Sequence, residues 1–197
     1  MLRALQIVVF IDLLGLTLVL PVLPFRVLEL GGAGLWLGLV LAGYSAAQMV
    51  AAPLLGRCAD RFGRRRMLLL SLVGSTVSLA AMGFAAELWV LLAARIAAGL
   101  CGGSIGVAHA LAADVSPAAG RTRAMARLGI AIGVAFTVGP LLGAAAGTAG
   151  FTTVALLGAG LAAAAWLTTW RLIPYRPSAG PRPSAFSYNA SSAKARL

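Results

Sequence analysis

Two charged side chains stand inside long apolar runs of this sequence: Asp12, in Phe10-Ile11-Asp12-Leu13-Leu14-Gly15, and Arg95, in Leu92-Ala93-Ala94-Arg95-Ile96-Ala97-Ala98-Gly99. An ionised carboxylate at the centre of a membrane helix costs about 2.5–3.5 kcal/mol, so such a group faces a cavity or a partner. A carboxyl held that way can take up and release a proton, which makes Asp12 the leading candidate for proton coupling; a structural acid fixed in a hydrogen-bond network is the plainer account. Arginine cannot shed its charge in a protein, so Arg95 needs carboxylate, carbonyl or water around it, or must snorkel to the membrane surface. Asp12 counts from the inner end of its run and Arg95 from the outer, so spacing does not decide whether they meet. Tyr44 and Gln48, one helical turn apart, are candidates to contact a substrate. Ser71, Ser75 and Ser78, with Thr76 beside them, could line the same path or simply bond neighbouring carbonyls.

These residues must be positioned by membrane helices. Of the 197 residues 60% are hydrophobic and 11% charged, against roughly a quarter charged in a soluble domain. The apolar residues fall into runs near the roughly 20 residues that carry a helix across a hydrocarbon core. Six are read, at about 4–25, 35–56, 67–86, 88–111, 124–147 and 152–172. Backbone groups in lipid must be satisfied internally, and the runs lack the alternation of barrel strands, so the expected fold class is an all-α bundle of six transmembrane helices.

The net charge of +11 does not point to nucleic acid, because the arginines segregate. With the N-terminus inside, Arg3, Arg57, Arg61, Arg64, Arg65, Arg66, Arg121, Arg123 and Arg127 all fall on the cytoplasmic side, and Arg26 alone falls outside. This is the positive-inside pattern; it places both termini in the cytoplasm and the basic face against anionic lipid. The first run is expected to be a retained anchor rather than a cleaved signal, being too long, interrupted by Asp12 and ending in Pro21 and Pro24 without a small-residue cleavage site. After Ile173 come Pro174, Pro177, Pro181 and Pro183 with serines, a composition expected to form a disordered cytoplasmic tail over 174–197. Cys58 and Cys101 suggest neither a disulfide nor a metal site, and no cofactor is implied.

A membrane-embedded serine protease would need a base beside Ser104 in Gly103-Ser104-Ile105-Gly106. The sole histidine, His109, lies five residues on along the same helix, about 140° around its axis, so the dyad fails. No phosphate-binding loop or paired metal ligands appear either, and no enzyme is expected.

The most specific stretch joins the second and third runs: Gly56-Arg57-Cys58-Ala59-Asp60-Arg61-Phe62-Gly63-Arg64-Arg65-Arg66. Gly63 permits a tight reversal and Asp60 can accept from helix-terminal amides. It resembles the G-x-x-x-D-R-x-G-R-R loop of the major facilitator superfamily. Tyr44-Ser45-Ala46-Ala47-Gln48, Ala52-Pro53-Leu54-Leu55-Gly56 and the first helix from Phe10 to Pro24 are similar to its tetracycline-efflux, drug:proton antiporter branch. Gly139-Pro140-Leu141-Leu142-Gly143, preceded by Gly129 and Gly133, resembles that branch's antiporter motif, with Ala144 in place of its final glycine.

The resemblance covers roughly 5–173 and implies the N-terminal half of a transporter that moves a small organic or drug-like molecule by proton-coupled efflux. It implies that Asp60 of the gating loop faces a helix of a second half, that Arg64 pairs with Asp114, and that Arg95 takes part in proton coupling. The glycine face of helix five, with Asp60, is expected to meet that second six-helix half or a homodimer partner. The alternative is a truncated, non-transporting product of a split gene, shortened isoform or incomplete gene model that associates with a full-length transporter.

Overall fold

The computed structural model describes residues 2–173; the tail expected over 174–197 lies outside them. Helices α1 (Leu2–Leu18), α2 (Leu23–Glu29), α3 (Gly34–Phe62), α4 (Arg64–Gly83), α5 (Leu88–Cys101), α6 (Ser104–Val115), α7 (Arg121–Ala146) and α8 (Phe151–Leu172) follow one another with short connections. Taken with the pieces that continue them, they form six segments long and apolar enough to cross a membrane: Leu2–Glu29, Gly34–Phe62, Arg64–Gly83, Leu88–Val115, Arg121–Ala149 and Phe151–Leu172.

Two of the six spans are broken where the sequence reading drew continuous helices. The first breaks between Leu18 and Leu23. Pro21 lacks an N–H there, and the turn closes through Val22 N–H to the Val19 carbonyl at 3.2 Å. The fourth breaks at Gly102–Gly103, so α6 restarts on Ser104. Glycine lacks the Cβ that would resist leaving the helix, and the Gly102 N–H turns back to the Gly99 carbonyl at 3.1 Å. By contrast α3 and α7 run through Pro53 and Pro140 unbroken.

The second span also reaches further than its apolar run. Arg57 to Phe62 are helical, and the expected loop shrinks to Gly63 at φ +97°. Hydropathy marks only the part of a helix within hydrocarbon, whereas charged residues can continue the same helix beyond it.

α1 is the hub: it packs on α7 and α8, while α4 joins α8 to α5, and α5 carries α3. Glycines set the close approaches. Gly15 of α1 faces Gly158 of α8, where a Cβ on either would sit 2.6 Å from the other's carbonyl oxygen. Gly139 and Gly143 of α7 lie against Thr17 and the Leu18 backbone of α1. This corrects the expectation that helix five turns these glycines toward a second half: they seat α7 within its own bundle. Gly129 and Gly133 remain open, with nothing within 4 Å of a Cβ.

The core divides into two apolar clusters. One contains Leu5, Leu13, Leu68, Leu72, Val107 and Leu111; the other contains Leu23, Leu79, Met82, Leu91, Ala94 and Val154. Along α4 they are separated by the stretch carrying Ser75, and along α5–α6 by Arg95 to Ser104. The polar groups singled out in the sequence therefore lie at the level between the two clusters.

The ends of the bundle are tied differently. At one, Arg64 Nε reaches Asp114 at 3.0 Å and Arg65 donates to the Trp170 and Ile173 carbonyls at the end of α8. At the other, Arg26 pairs with Glu29 at 3.0 Å, donates to the Ala85 carbonyl at 2.8 Å and lies over Phe151.

Candidate functional site

Asp12 is buried on α1, and its Oδ2 accepts a hydrogen bond from Ser104 Oγ at 2.7 Å. The break at Gly102–Gly103 makes this contact: Ser104, itself buried, begins α6 immediately after it. Beside the pair lies a cavity of about 20 Å³ lined by Asp12, Tyr44, Ser75, Gly102 and Ser104, among others. That is room for about one water molecule.

Arg95 is buried on α5 at 1% exposure, so it does not snorkel to an interface. Its guanidinium carbon lies 5.7 Å from the centroid of the Tyr44 ring, within the range of a cation–π contact. Its Nε and Nη2 are buried without a hydrogen-bond partner. Among the described residues no ion pair joins it to Asp12. Tyr44 thus stands between the two: it lines the cavity that holds the Asp12 carboxyl and covers the guanidinium. The approach is close because Gly99 brings α5 onto the Tyr44 carbonyl, which a Cβ there would strike.

Gln48, one turn along α3, donates to the Gly102 carbonyl at 3.2 Å, a group exposed by the helix break. It lines a second and larger space, a groove of about 590 Å³ between α3 and α6 that also takes in Met49, Gly56, Asp60, Arg64 and Gly103. Tyr44 and Gln48 therefore share a helix face but serve different spaces.

Near the end of α3, the Asp60 side chain is 70% exposed and holds Arg64 at 3.3 Å. Arg64 joins Asp60 to Asp114, so the expected Arg64–Asp114 pairing is present in the folded chain. Arg61 lies over the Phe62 ring, and Gly56 is open on the groove.

The sequence reading did not join Ser104 to Asp12. The signal was available in the Gly102-Gly103 pair preceding it, which forecasts a helix break. It also missed Thr17, whose hydroxyl donates to the Leu13 carbonyl at 2.7 Å and approaches the Ala135 carbonyl of α7 at 3.2 Å. Ser71 and Ser78 are buried, and Thr76 bonds its own helix at the Leu72 carbonyl. Only Ser75 of that group reaches the cavity. With its hydroxyl engaged by Asp12, Ser104 has no histidine base; His109 Nδ1 instead sits 3.0 Å from the Ile105 carbonyl.

This arrangement, a bundle of six spans with an Asp60–Arg64–Asp114 relay at one end and a carboxyl beside a helix break inside, coincides with a family match. The sequence profile described as Major Facilitator Superfamily matches residues 5–195. The chain belongs to the major facilitator superfamily. It is accordingly a multi-pass membrane protein of a transporter family, not an enzyme.

Within the superfamily it is 40% identical over 144 residues to the class E tetracycline resistance protein of Escherichia coli, covering 72% of this chain and 36% of that one. It is 31% identical over 163 residues to the human major facilitator superfamily domain-containing protein 10, covering 68% and 36%. The crystal structure of the human organic anion transporter MFSD10 superposes with a TM-score of 0.82 at 27% identity, over 93% of this chain and 49% of that one. The chain thus spans about a third of the length of these curated relatives and half of the solved structure.

Proposed function

We propose that this chain is the N-terminal half of a proton-coupled secondary transporter that exports a small organic or drug-like molecule. The observation that carries the reading is the buried Asp12 carboxyl, bonded to the first residue after a helix break and facing a water-sized cavity. Discontinuous spans at corresponding positions of two repeats mark ion and substrate sites in transporters. Here the first and fourth spans, which open the two sets of three, are the broken ones. A proton on Asp12 would remove the need to compensate its charge and loosen α1 from α6, which is the kind of change that biases one arrangement of the bundle over another. Asp12 and Arg95 serve coupling, Tyr44 and Gln48 contact substrate, and the Gly56–Arg64 segment with Asp114 latches the cytoplasmic end. Gly133, Gly139, Pro140 and Gly143 form the antiporter helix, a reading that the chain's likeness to tetracycline resistance proteins supports.

Alternating access requires one bundle to rock against another around a central site, and six spans supply one wall. Purified chain reconstituted alone is therefore expected to show no proton-driven flux of tetracycline-like drugs, lipophilic cations or organic acids, whereas a homodimer or an added C-terminal half restores it. Robust flux from a demonstrated monomer would overturn the half-transporter reading. Stable association with a full-length relative without any flux would favour the truncated, non-transporting alternative, for which the open groove beside Asp60 offers a surface.

Both termini are assigned to the cytoplasm, because the end that carries Arg64, Arg65 and Arg66 is the strongly basic one. Asn189-Ala190-Ser191 is a built-in reporter, since it is a glycosylation acceptor only where the tail reaches a lumen. Expressed in eukaryotic membranes, the chain is expected to show no endoglycosidase-sensitive mass shift. A shift that disappears in Asn189→Gln would reverse the topology.

A further inference from the structure

The least explained group in the bundle is Arg95. It is almost fully enclosed, yet two of its nitrogens, Nε and Nη2, have no hydrogen-bond partner. A buried charge without a counter-charge is among the costliest features a fold can carry. The two open donors are also not scattered. In a guanidinium the Nε–H and one Nη2–H point the same way, forming the edge that takes the two oxygens of a carboxylate side by side.

No internal carboxylate fills that edge in this structure. Of the acids among the described residues, Glu29 and Asp60 are engaged at the bundle ends by Arg26 and Arg64, Asp114 is held by Arg64, and Glu87 opens α5 two turns away from Arg95. Asp12 is the one acid inside the bundle, and its carboxyl is engaged by Ser104. The guanidinium carbon lies over the ring of Tyr44, which is half-buried on the sparsely buried α3. Tyr44 also borders the cavity at Asp12, which is too small to hold more than a water molecule. Arg95 lines neither cavity, so a larger anion reaches it only as the packing around it opens, and Tyr44, which borders the Asp12 cavity and lies against the guanidinium, is placed to stack on an aromatic ligand there.

We infer that Arg95 is an anchor for anionic organic substrates, its Nε–Nη2 edge binding a carboxylate side-on and Tyr44 serving as the aromatic cover of that site. This rests on the transporter reading and adds the substrate's chemical class to it. A bound carboxylate would also neutralise the buried charge that Arg95 otherwise carries without a counter-charge.

The test uses the full chain in lipid nanodiscs with two probes that differ only in charge, pyrenebutyrate and its primary amide, followed by fluorescence anisotropy. The carboxylate is expected to bind saturably and about tenfold or more tightly than the amide, as hydrogen bonds to a buried charged group require. Arg95→Gln should erase that preference while leaving amide binding in place. Arg95→Lys retains charge without the fork and should lose most of the preference, which keeps the test informative if the Gln variant does not fold. Tyr44→Ala should weaken both probes. Equal affinity for acid and amide, absence of saturable acid binding, or an undiminished preference in both Arg95 variants would overturn the proposal. Proton release from the same preparation on alkaline titration, compared with Asp12→Asn, reports on the coupling reading separately. Its persistence alongside a failed probe test would remove the substrate class and leave the coupling site standing.

Discussion

In an active assembly, Asp12→Asn is expected to abolish substrate movement driven by a pH gradient while preserving membrane insertion and the bundle. The substitution is nearly isosteric, and the Asn carbonyl can still accept the Ser104 hydroxyl that holds Asp12 at 2.7 Å. What it removes is the ability to gain and lose a proton. The variant therefore separates the two accounts of Asp12 that the sequence left open. A residue that merely completes a hydrogen-bond network would be served almost as well by Asn, and gradient-driven uptake into everted vesicles would continue. A coupling residue would leave gradient-independent exchange of labelled substrate intact but lose accumulation entirely. Normal accumulation in Asp12→Asn would remove this carboxyl from the mechanism. Ser104→Ala, which takes away the donor but not the acid, should give an intermediate phenotype with a displaced pH profile rather than complete loss.

Much of this architecture was legible because membranes impose a simple code. Run length gives the spans, arginine placement suggests orientation, and the Gly56–Arg66 stretch identifies the family. What hydropathy could not carry was the interruption of a span. Val19–Val22 and Cys101–Ser104 are as apolar or small as the helices on either side, so an averaged signal passes over both breaks. The local chemistry was nonetheless visible: Pro21 lacks a donor and Gly102-Gly103 lacks side chains. Partners across the bundle are a different matter. That Asp12 on α1 finds Ser104 on α6, rather than Arg95 on α5, depends on helix rotation and register, which a single sequence does not specify. The same limit explains the glycines of α7. Their three- and four-residue spacing announced a close helix contact, but not which helix would make it.

That contact yields the second strong expectation, which concerns folding rather than transport. Gly143→Ala and Gly158→Ala should each destabilise the bundle, because the added Cβ meets backbone and not a side chain that could move aside. On Gly143 it runs into the Leu18 carbonyl group, and on Gly158 it lies 2.6 Å from the Gly15 carbonyl oxygen. Relief requires α7 or α8 to move away from α1, loosening the small-residue packing that holds membrane helices together. A cost of about 1–3 kcal/mol for each is the scale of overpacking in a well-filled interior. Gly139→Ala should be costly as well, since Thr17 Cβ would lie 2.8 Å from the added Cβ and stays there however the hydroxyl turns, while turning it disturbs the bond to the Leu13 carbonyl. Gly133→Ala provides the contrast. It lies on the same helix with nothing within 4 Å, so removing its backbone freedom should leave stability unchanged or slightly raised. Thermal midpoints of the purified variants, read from the loss of the monodisperse peak after heating, would rank Gly133→Ala at or above the parent chain and Gly143→Ala and Gly158→Ala below it. Were Gly143→Ala as stable as the parent, α7 would not be seated on α1 through this face. Its glycines would then be free to receive a helix of a second half, as their sequence pattern first suggested.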